Sequence, residues 1–280
     1  MKRIALIAFA ALVAGAANAA ASAPAALEPT AADIVDRNIA ARGGIDAWRK
    51  VDTMVWIGHI ESASVPAPKL PFVLEMKRPN KTRFEIGSRN QEALRVFDGN
   101  HGWKVHPAHG RLPQVLPYTD DELSYAREGT GIDGPLMDYR AKGIAVTLDG
   151  IDQVEGRKAY RLNVTLPSGD SHHVWIDADT YLDVKYDRRS RNAFGMEGTM
   201  FVVNRNYQTI EGLRLPLTIE SGGDAAKVPD RMVIERILVN APLEARQFAK
   251  PHLPGRPNTV TVDTRMPATL RGTPRPARAP

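Results

Sequence analysis

Histidine and carboxylate side chains are the residues of this sequence that could bind a metal ion or perform acid–base catalysis. His172 and His173 precede Asp177, while His106 and His109 flank a proline. Adjacent residues of a β-strand point to opposite faces, so one metal ion cannot readily bind both His172 and His173. His106 and His109 lack a nearby carboxylate. We therefore interpret these histidines as ordinary hydrogen-bonding residues and predict no metal site.

Other patterns that indicate catalysis or cofactor binding are missing from the sequence. It contains no Gly-x-Ser-x-Gly elbow, Walker A loop, dinucleotide-binding fingerprint or His-Glu-x-x-His motif. The complete lack of cysteine excludes disulfides, thiolate nucleophiles, iron–sulfur clusters and cysteine-based zinc sites. The acidic run Asp177, Asp179, Asp183 and Asp187 lacks the spacing of a calcium loop, and we interpret it as solvated turn residues. The sequence thus favours a protein without a cofactor that is not an enzyme.

The N-terminus has the pattern of a secretory signal peptide over residues 1–19. A basic start is followed by an apolar run over residues 4–13, which is too short to span a bilayer, and by the small-residue sequence Ala-Asn-Ala at 17–19. We expect a soluble periplasmic protein whose mature chain begins near Ala20 with a linker over residues 20–29. No later stretch is apolar enough over about 18 residues to form a transmembrane segment.

The basic residues do not favour a nucleic-acid partner. The formal net charge is +5, and Arg188, Arg189 and Arg191 form a basic cluster. No aromatic residues alternate with these charges, and an exported protein does not meet nucleic acid. Solubility or attraction to anionic lipid headgroups explains the charge better.

The remaining pattern predicts one helix, a group of strands, a helical insertion and a second group of strands. Thr30 and Asp33 have the spacing of a capping box and predict a helix over 30–41. A proline-rich loop over 107–118 precedes a helix from Thr119 to Gly129 and a shorter helix over 133–141. Period-two alternation predicts strands over 52–62, 70–78, 81–88, 92–98 and 101–106, then over 145–150, 157–166, 171–177, 182–190, 197–208, 213–220 and 231–239.

These elements predict one mainly β (α+β) domain over residues 30–249. A single antiparallel sheet of about twelve strands must curl, and the helical segments 30–41 and 119–141 can cover its inner side. Methionines on the covered face either pack in a sealed core, which is the favoured interpretation, or adapt to acyl chains in a cavity. Residues 250–280 hold seven prolines and six basic residues against one acidic residue, which predicts a disordered tail.

Three short motifs in a fixed order resemble those of one family. They are Met-Lys-Arg-Pro-Asn at 76–80, Val-Phe-Asp-Gly-Asn-His-Gly-Trp-Lys at 96–104 and Ile-Asp-Gly-Pro-Leu-Met-Asp-Tyr at 132–139. Together with the order of the elements, they resemble the periplasmic outer-membrane lipoprotein-sorting and carrier proteins (LolA-like) and the related LolB-like folds. The resemblance covers residues 30–248.

The resemblance implies an incomplete, strongly curved antiparallel β-barrel of about 11–12 strands, with helices as a lid over a hydrophobic cavity. By position, Arg78 matches an arginine that hydrogen-bonds the lid, and Trp103 matches the aromatic residue of the following hairpin. Leu136 and Met137 match lid residues that plug the cavity. The apolar face of the second and third strands completes the expected ligand-binding set with Phe72, Leu74, Met76, Phe84 and Ile86.

The resemblance further implies a periplasmic carrier, or chaperone, in lipoprotein transport and outer-membrane biogenesis. Such a carrier binds acyl chains of a lipoprotein or another lipid, and its partners are an inner-membrane donor and an outer-membrane acceptor. The loop over 107–118 and the basic tail depart from the family and leave the cargo open. Two alternatives remain, namely an envelope sensor or interaction domain with the same fold and an envelope hydrolase that uses a histidine.

Overall fold

The computed structural model describes residues 28–63, 69–88, 91–105, 113–128, 131–191, 197–223 and 228–253. Helix α1 (Ala31–Ala41) begins after Thr30, whose hydroxyl accepts from the Asp33 amide while the Asp33 carboxylate accepts from the Thr30 amide. The expected capping box is therefore confirmed. Helices α2 (Ile45–Arg49) and α3 (Asp120–Glu128) complete the α-helices of the described ranges, none of which is long and apolar enough to cross a membrane.

Thirteen strands form one antiparallel sheet within the described residues. They are β1 (Thr53–Glu61), β2 (Leu70–Lys77), β3 (Lys81–Ser88), β4 (Gln91–Phe97), β5 (Gly102–Val105), β6 (Val115–Pro117), β7 (Ala145–Val154), β8 (Arg157–Thr165), β9 (Ser171–Asp177), β10 (Asp183–Arg191), β11 (Glu197–Ile210), β12 (Leu213–Gly223) and β13 (Asp230–Val239). Their order is β6-β5-β4-β3-β2-β1-β13-β12-β11-β10-β9-β8-β7, so β1 and β13 join the two halves. The sheet is strongly curved and does not close, which confirms the expected incomplete barrel.

Two local predictions were wrong. Residues 115–117, expected in a loop, form the short strand β6 paired with β5. The helix expected over 133–141 is absent, because this part of the chain consists of turns. Gly134 and Asp138 have φ angles of 78° and 50°, in the left-handed region, which interrupts a right-handed helix.

The core lies on the side of the sheet covered by α1 and α2, called the inner face here. A central cluster fills the middle of this face with Trp48, Val51, Met54, Phe72, Met76, Ile132, Met137, Leu213, Leu215, Ile234 and Ile237. A second cluster packs under α1 and contains Ile34, Val35, Leu136, Ile144, Tyr160, Leu162, Val164, Leu166, Val174 and Ile176. Of the predicted cover, 30–41 is confirmed as α1 and part of 119–141 as α3, whereas residues 133–141 form turns and α2 was not predicted.

The chain that follows β13 packs against the opposite, outer face of the sheet. The Thr53 hydroxyl donates to the carbonyl of Ala241, and Lys77 Nζ donates to that of Leu243, each at 2.6 Å. Phe248, at the end of a short 3-10 helix (Ala245–Phe248), is fully buried. The packed domain therefore extends at least to Phe248.

Truncation after Leu253 is expected to leave the thermal unfolding midpoint nearly unchanged. Residues 254–280 of the proposed tail lie outside the described residues. Their composition offers little apolar area to offset an ordering cost of about 1–2 kcal/mol per residue. Calorimetry of the truncated and full-length chains tests this expectation. A drop of more than a few degrees would show instead that the tail stabilises the domain.

Candidate functional site

The strand register places the predicted apolar residues of β2 and β3 together on the inner face. Phe72 lies opposite Ile86, and Leu74 lies opposite Phe84. The rings of Phe72 and Phe84 meet edge to face, with centroids 5.9 Å apart. Phe72 and Met76 are buried in the central cluster, whereas Leu74, Phe84 and Ile86 remain partly exposed beside it. This part of the inner face is therefore apolar without being fully covered.

Neighbouring strands extend this partly exposed surface. Trp56 of β1 lies opposite Leu74, and Ile60 of β1 lies opposite Met232 of β13. We call the apolar strip the set of partly buried inner-face residues Trp56, Ile60, Leu74, Phe84, Ile86, Ile219 and Met232. The members from β1, β12 and β13 were not part of the predicted set. Ile60 and Ile219 alternate with polar neighbours, but Trp56 lies between Val55 and Ile57, so the sequence pattern alone does not assign it to a face. A contiguous, partly exposed apolar surface of this kind is typical of a binding site for an apolar ligand.

Residues 131–144, called the closing segment here, fill the other end of the inner face. Met137 is fully buried in the central cluster, and Leu136 is buried in the cluster under α1. Two adjacent side chains therefore insert into two different parts of the core. Because both are apolar, displacement of this segment would open apolar space that is continuous with the core.

Arg78, just after β2, ties the closing segment to the rest of the domain. Its Nη1 donates to Asp133 Oδ2 at 3.0 Å. Its Nε donates to the carbonyl of Val51 at 2.6 Å, and its Nη2 to that of Trp48 at 3.0 Å. The Asp133 side chain is only 8% exposed, so it lies largely away from solvent. A rigid guanidinium fork that spans three chain segments suits this positioning role.

A second set of cations completes the contacts of Asp133. Lys142 Nζ donates to Asp133 Oδ1 at 3.2 Å and to the carbonyl of Gly134 at 2.8 Å. Arg42 donates to the Asp133 carbonyl at 3.0 Å, and its guanidinium lies over the Trp48 ring. Burial lowers the pKa of Lys142, against the opposing effect of Asp133. These groups are paired with one another, which indicates an ionic anchor for the closing segment rather than a catalytic group.

Helix α3 covers another part of the inner face and is held by polar contacts, since it contains no buried residue. Glu122 in its first turn accepts from Lys104 Nζ at 2.7 Å, from Arg95 Nη2 at 2.8 Å and from the Thr119 amide at 2.9 Å. Burial alone would raise the pKa of Glu122. The hydrogen bonds from Lys104, Thr119 and Arg95 outweigh this effect and lower the pKa to about 2.

Further polar contacts attach α3 to both halves of the sheet. Asn80, in the turn between β2 and β3, donates to the Ala126 carbonyl at 2.9 Å. Arg188 of β10 donates to the Tyr125 hydroxyl, and its guanidinium lies 5.0 Å from the centre of that ring. A neutral hydrogen bond contributes about 0.5–1.5 kcal/mol and one to a charged group roughly 1.5–3 kcal/mol, so the docking of α3 depends mainly on its few charged contacts.

Acid is expected to release α3 from the sheet. Glu122 has an ordinary pKa of 4.5 and a pKa of about 2 in the docked helix. Its contribution to docking is therefore complete above about pH 4.5 and declines as the pH falls towards 2. Amide hydrogen exchange of residues 120–128, corrected for intrinsic rates, should show less protection at about pH 3 than at about pH 5.5.

Glu122→Gln is the control for this titration, because the glutamine side chain is uncharged at both pH values. Its protection over 120–128 should already be low at the higher pH and change little on acidification. Equal protection of the parent helix at both pH values would contradict the expected role of Glu122.

Trp103 does not join the other predicted site residues. Trp103 pairs with Val96 and Pro117. Val96 follows Arg95, the partner of Phe84, so Trp103 lies on the outer face, on the other side of the sheet from Phe84. Its ring lies 6.0 Å from that of His101. The structure therefore brings eight of the nine predicted positions to the inner face or its closing segment and places Trp103 elsewhere.

The candidate histidines separate as expected. His172 lies opposite Val164 on the inner face, and burial lowers its pKa. His173 lies on the outer face, where its Nδ1 is 2.8 Å from Asp187 Oδ2. His106 and His109 lie outside the described residues. In the part of the chain that the structure describes, no group of three or more histidine or carboxylate residues is arranged to hold a metal ion.

Asp177 differs from the interpretation of solvated turn residues. It is 1% exposed, accepts from the Thr180 amide and hydroxyl at 2.8 Å, and pairs with Arg157 at 2.9 Å. It therefore stabilises the turn between β9 and β10.

The fold and the site together define a class of protein, namely an open half-barrel with an apolar inner face under a closing segment and a helix. Solved structures share this fold. A DUF1329 family protein from Desulfovibrio piger has a TM-score of 0.51 and 12% identity over 78% of this chain and 97% of its own. A domain from Vibrio parahaemolyticus named for outer-membrane lipoprotein sorting has a TM-score of 0.52 and 13% identity over 78% of this chain and 95% of its own.

The chain therefore has the LolA-like fold that its motifs resemble. At these identities the likeness establishes the fold alone. No family model and no curated protein matches the sequence.

Proposed function

We propose that this protein is a carrier that binds acyl chains of a lipid or a lipoprotein on the apolar strip, without covalent chemistry. The observation that carries this proposal is the strip itself, a contiguous and partly exposed apolar surface on the same inner face as two segments that are anchored by polar contacts. Covering it with an acyl chain contributes about 0.8 kcal/mol for each CH₂ group buried. A single chain can therefore bind at micromolar strength after the costs of association.

Opening and closing form the second part of the proposal. Leu136 and Met137 occupy the inner face in this structure, so a chain that extends from the apolar strip into the core displaces the closing segment. Arg78 then acts as a latch, because its hydrogen bond to Asp133 must break when the segment moves. Ligand binding and latch opening are coupled in this scheme, and the latch sets the balance between the empty and loaded states.

The cellular role follows from the fold and the N-terminal pattern. The signal-peptide pattern over residues 1–19 supports export to the periplasm. The likeness to a domain named for lipoprotein sorting supports a cargo received from an inner-membrane donor and passed to an outer-membrane acceptor. The ionisable groups around the closing segment pair with one another, which favours a binding protein over a hydrolase.

A titration with a fluorescent fatty acid tests the carrier function. The expected result is saturable binding at micromolar concentration with one site per chain, and competition by unlabelled fatty acid of equal length. Absence of saturable binding by the folded, exported chain would reject the proposal.

A further inference from the structure

One row of the inner face changes from apolar to cationic across neighbouring strands. Trp56, Leu74 and Phe84 are direct register partners on β1, β2 and β3. The row continues with Arg95 on β4, opposite Phe84, and with Lys104 on β5, opposite Arg95. Adjacent strands lie about 4.8 Å apart, so the two cations begin one strand beyond the apolar strip. An acyl chain that lies along the row places its headgroup beside them.

In this structure, the carboxylate of Glu122 occupies the position between these cations. Lys104 Nζ and Arg95 Nη2 both donate to it, at 2.7 and 2.8 Å, and the Lys104 side chain is only 15% exposed. Glu122 belongs to α3, which has no buried residue of its own. When α3 moves away, the two cations lose their anion. The Arg95 side chain is 41% exposed, so the cost of an unpaired cation falls mainly on the more buried Lys104, and another anion is favoured there.

Arg188 provides an independent observation on the facing half of the inner surface. Arg188 belongs to β10, lies opposite Met200 of β11 and donates a hydrogen bond to the Tyr125 hydroxyl of α3. Its Nε is buried and has no hydrogen-bond partner among the described residues. Displacement of α3 therefore also removes a partner from a third cation, whose donor capacity is already incompletely used.

We propose that the cargo carries an anionic headgroup of the phosphate class, which Arg95 and Lys104 bind while its acyl chain lies on the apolar strip. Glu122 occupies the headgroup position when cargo is absent and leaves with α3 when cargo enters. This inference rests on the carrier function proposed above and adds the chemical class of the cargo.

The test compares three probes by competition against a fluorescent fatty acid. They are lysophosphatidylglycerol, a monoacylglycerol with the same acyl chain, and inorganic phosphate. The parent protein should bind lysophosphatidylglycerol about tenfold more tightly than the monoacylglycerol, the effect of one charge-assisted hydrogen bond. Inorganic phosphate should compete only weakly, because it lacks the chain.

Variants assign the preference to the proposed residues. The double variant Arg95→Gln/Lys104→Gln should bind the two lipids with equal affinity. Arg236→Gln is the matched control, since Arg236 is an exposed cation on the outer face, opposite Ile57, and should keep the tenfold preference. Glu122→Gln should tighten lysophosphatidylglycerol binding severalfold, because the internal competitor loses its charge.

Each contrary outcome has a distinct meaning. Equal binding of the two lipids by the parent, or a preference that survives in the double variant, overturns the headgroup site and leaves the carrier function standing. Phosphate that binds as tightly as lysophosphatidylglycerol overturns the assignment to an acylated anion. Failure of both lipids to bind rejects the carrier function and this inference together. If Glu122→Gln weakens the binding of both lipids equally, Glu122 has only a structural role. Its proposed occupation of the headgroup position is then rejected.

Discussion

Leu74→Glu is expected to abolish binding of a fluorescent fatty acid while the fold persists. Leu74 lies in the middle of the apolar strip, between Trp56 and Phe84. A carboxylate at this position keeps its water in the empty protein, because the site is partly exposed. A bound acyl chain would strip that water away without supplying a partner, so we expect the affinity to fall at least about a hundredfold.

Ile57→Glu is the matched control for this substitution. Ile57 lies on the adjacent strand but on the outer face, where its register partner Arg236 can pair with a new carboxylate. Binding by Ile57→Glu should equal that of the parent, and circular dichroism should show the same strand content in both variants. Unchanged affinity in Leu74→Glu, or equal losses in the two variants, would remove the apolar strip as the binding surface.

Arg78→Leu is expected to loosen the closing segment and to slow the release of bound ligand. The substitution removes three hydrogen bonds of a charged group, including the one to Asp133. A hydrogen bond to a charged group contributes roughly 1.5–3 kcal/mol. Its loss should shift the balance about tenfold or more from the closed, empty state towards the open, loaded state. Hydrogen exchange over 131–144 and the off-rate of a fluorescent fatty acid measure the two effects.

Arg49→Leu separates the latch from a general loss of charge near the closing segment. Arg49 also pairs with this segment, through Asp138 at 2.7 Å, but its side chain is 59% exposed. Exposed ion pairs contribute little to stability, so exchange and release should stay close to the parent values. The latch is rejected if Arg78→Leu leaves both measurements unchanged or matches Arg49→Leu in both.

The strands and the main apolar face could be predicted because their causes are local. Side-chain alternation within one strand places Phe72, Leu74 and Met76 on one face, whatever the partner strand is. The capping box of α1 likewise depends on two residues three positions apart. The motif that contains Leu136 and Met137 indicated residues that insert into the inner face, although the local helix was wrong because of left-handed turns.

The remaining features depend on register between strands, which local pattern does not determine. Trp103 was assigned to the ligand-binding set by its motif, but pairing with Val96 places it on the outer face. The cluster of Glu122, Arg95 and Lys104 joins residues from a helix and two strands. In the sequence alone, Glu122 is one of several acids that suit a helix N-terminus. That local role explains its presence, so nothing in the sequence indicates its partners on the strands.

Mass spectrometry of lipid that co-purifies with gently isolated, exported protein tests the central claim most directly. The parent and Ile57→Glu should each carry acyl-chain lipid in a fixed ratio to protein. Leu74→Glu, purified in the same way, should carry little or none. A parent protein free of acyl-chain lipid, or equal amounts of lipid on the parent and on Leu74→Glu, would contradict the carrier function.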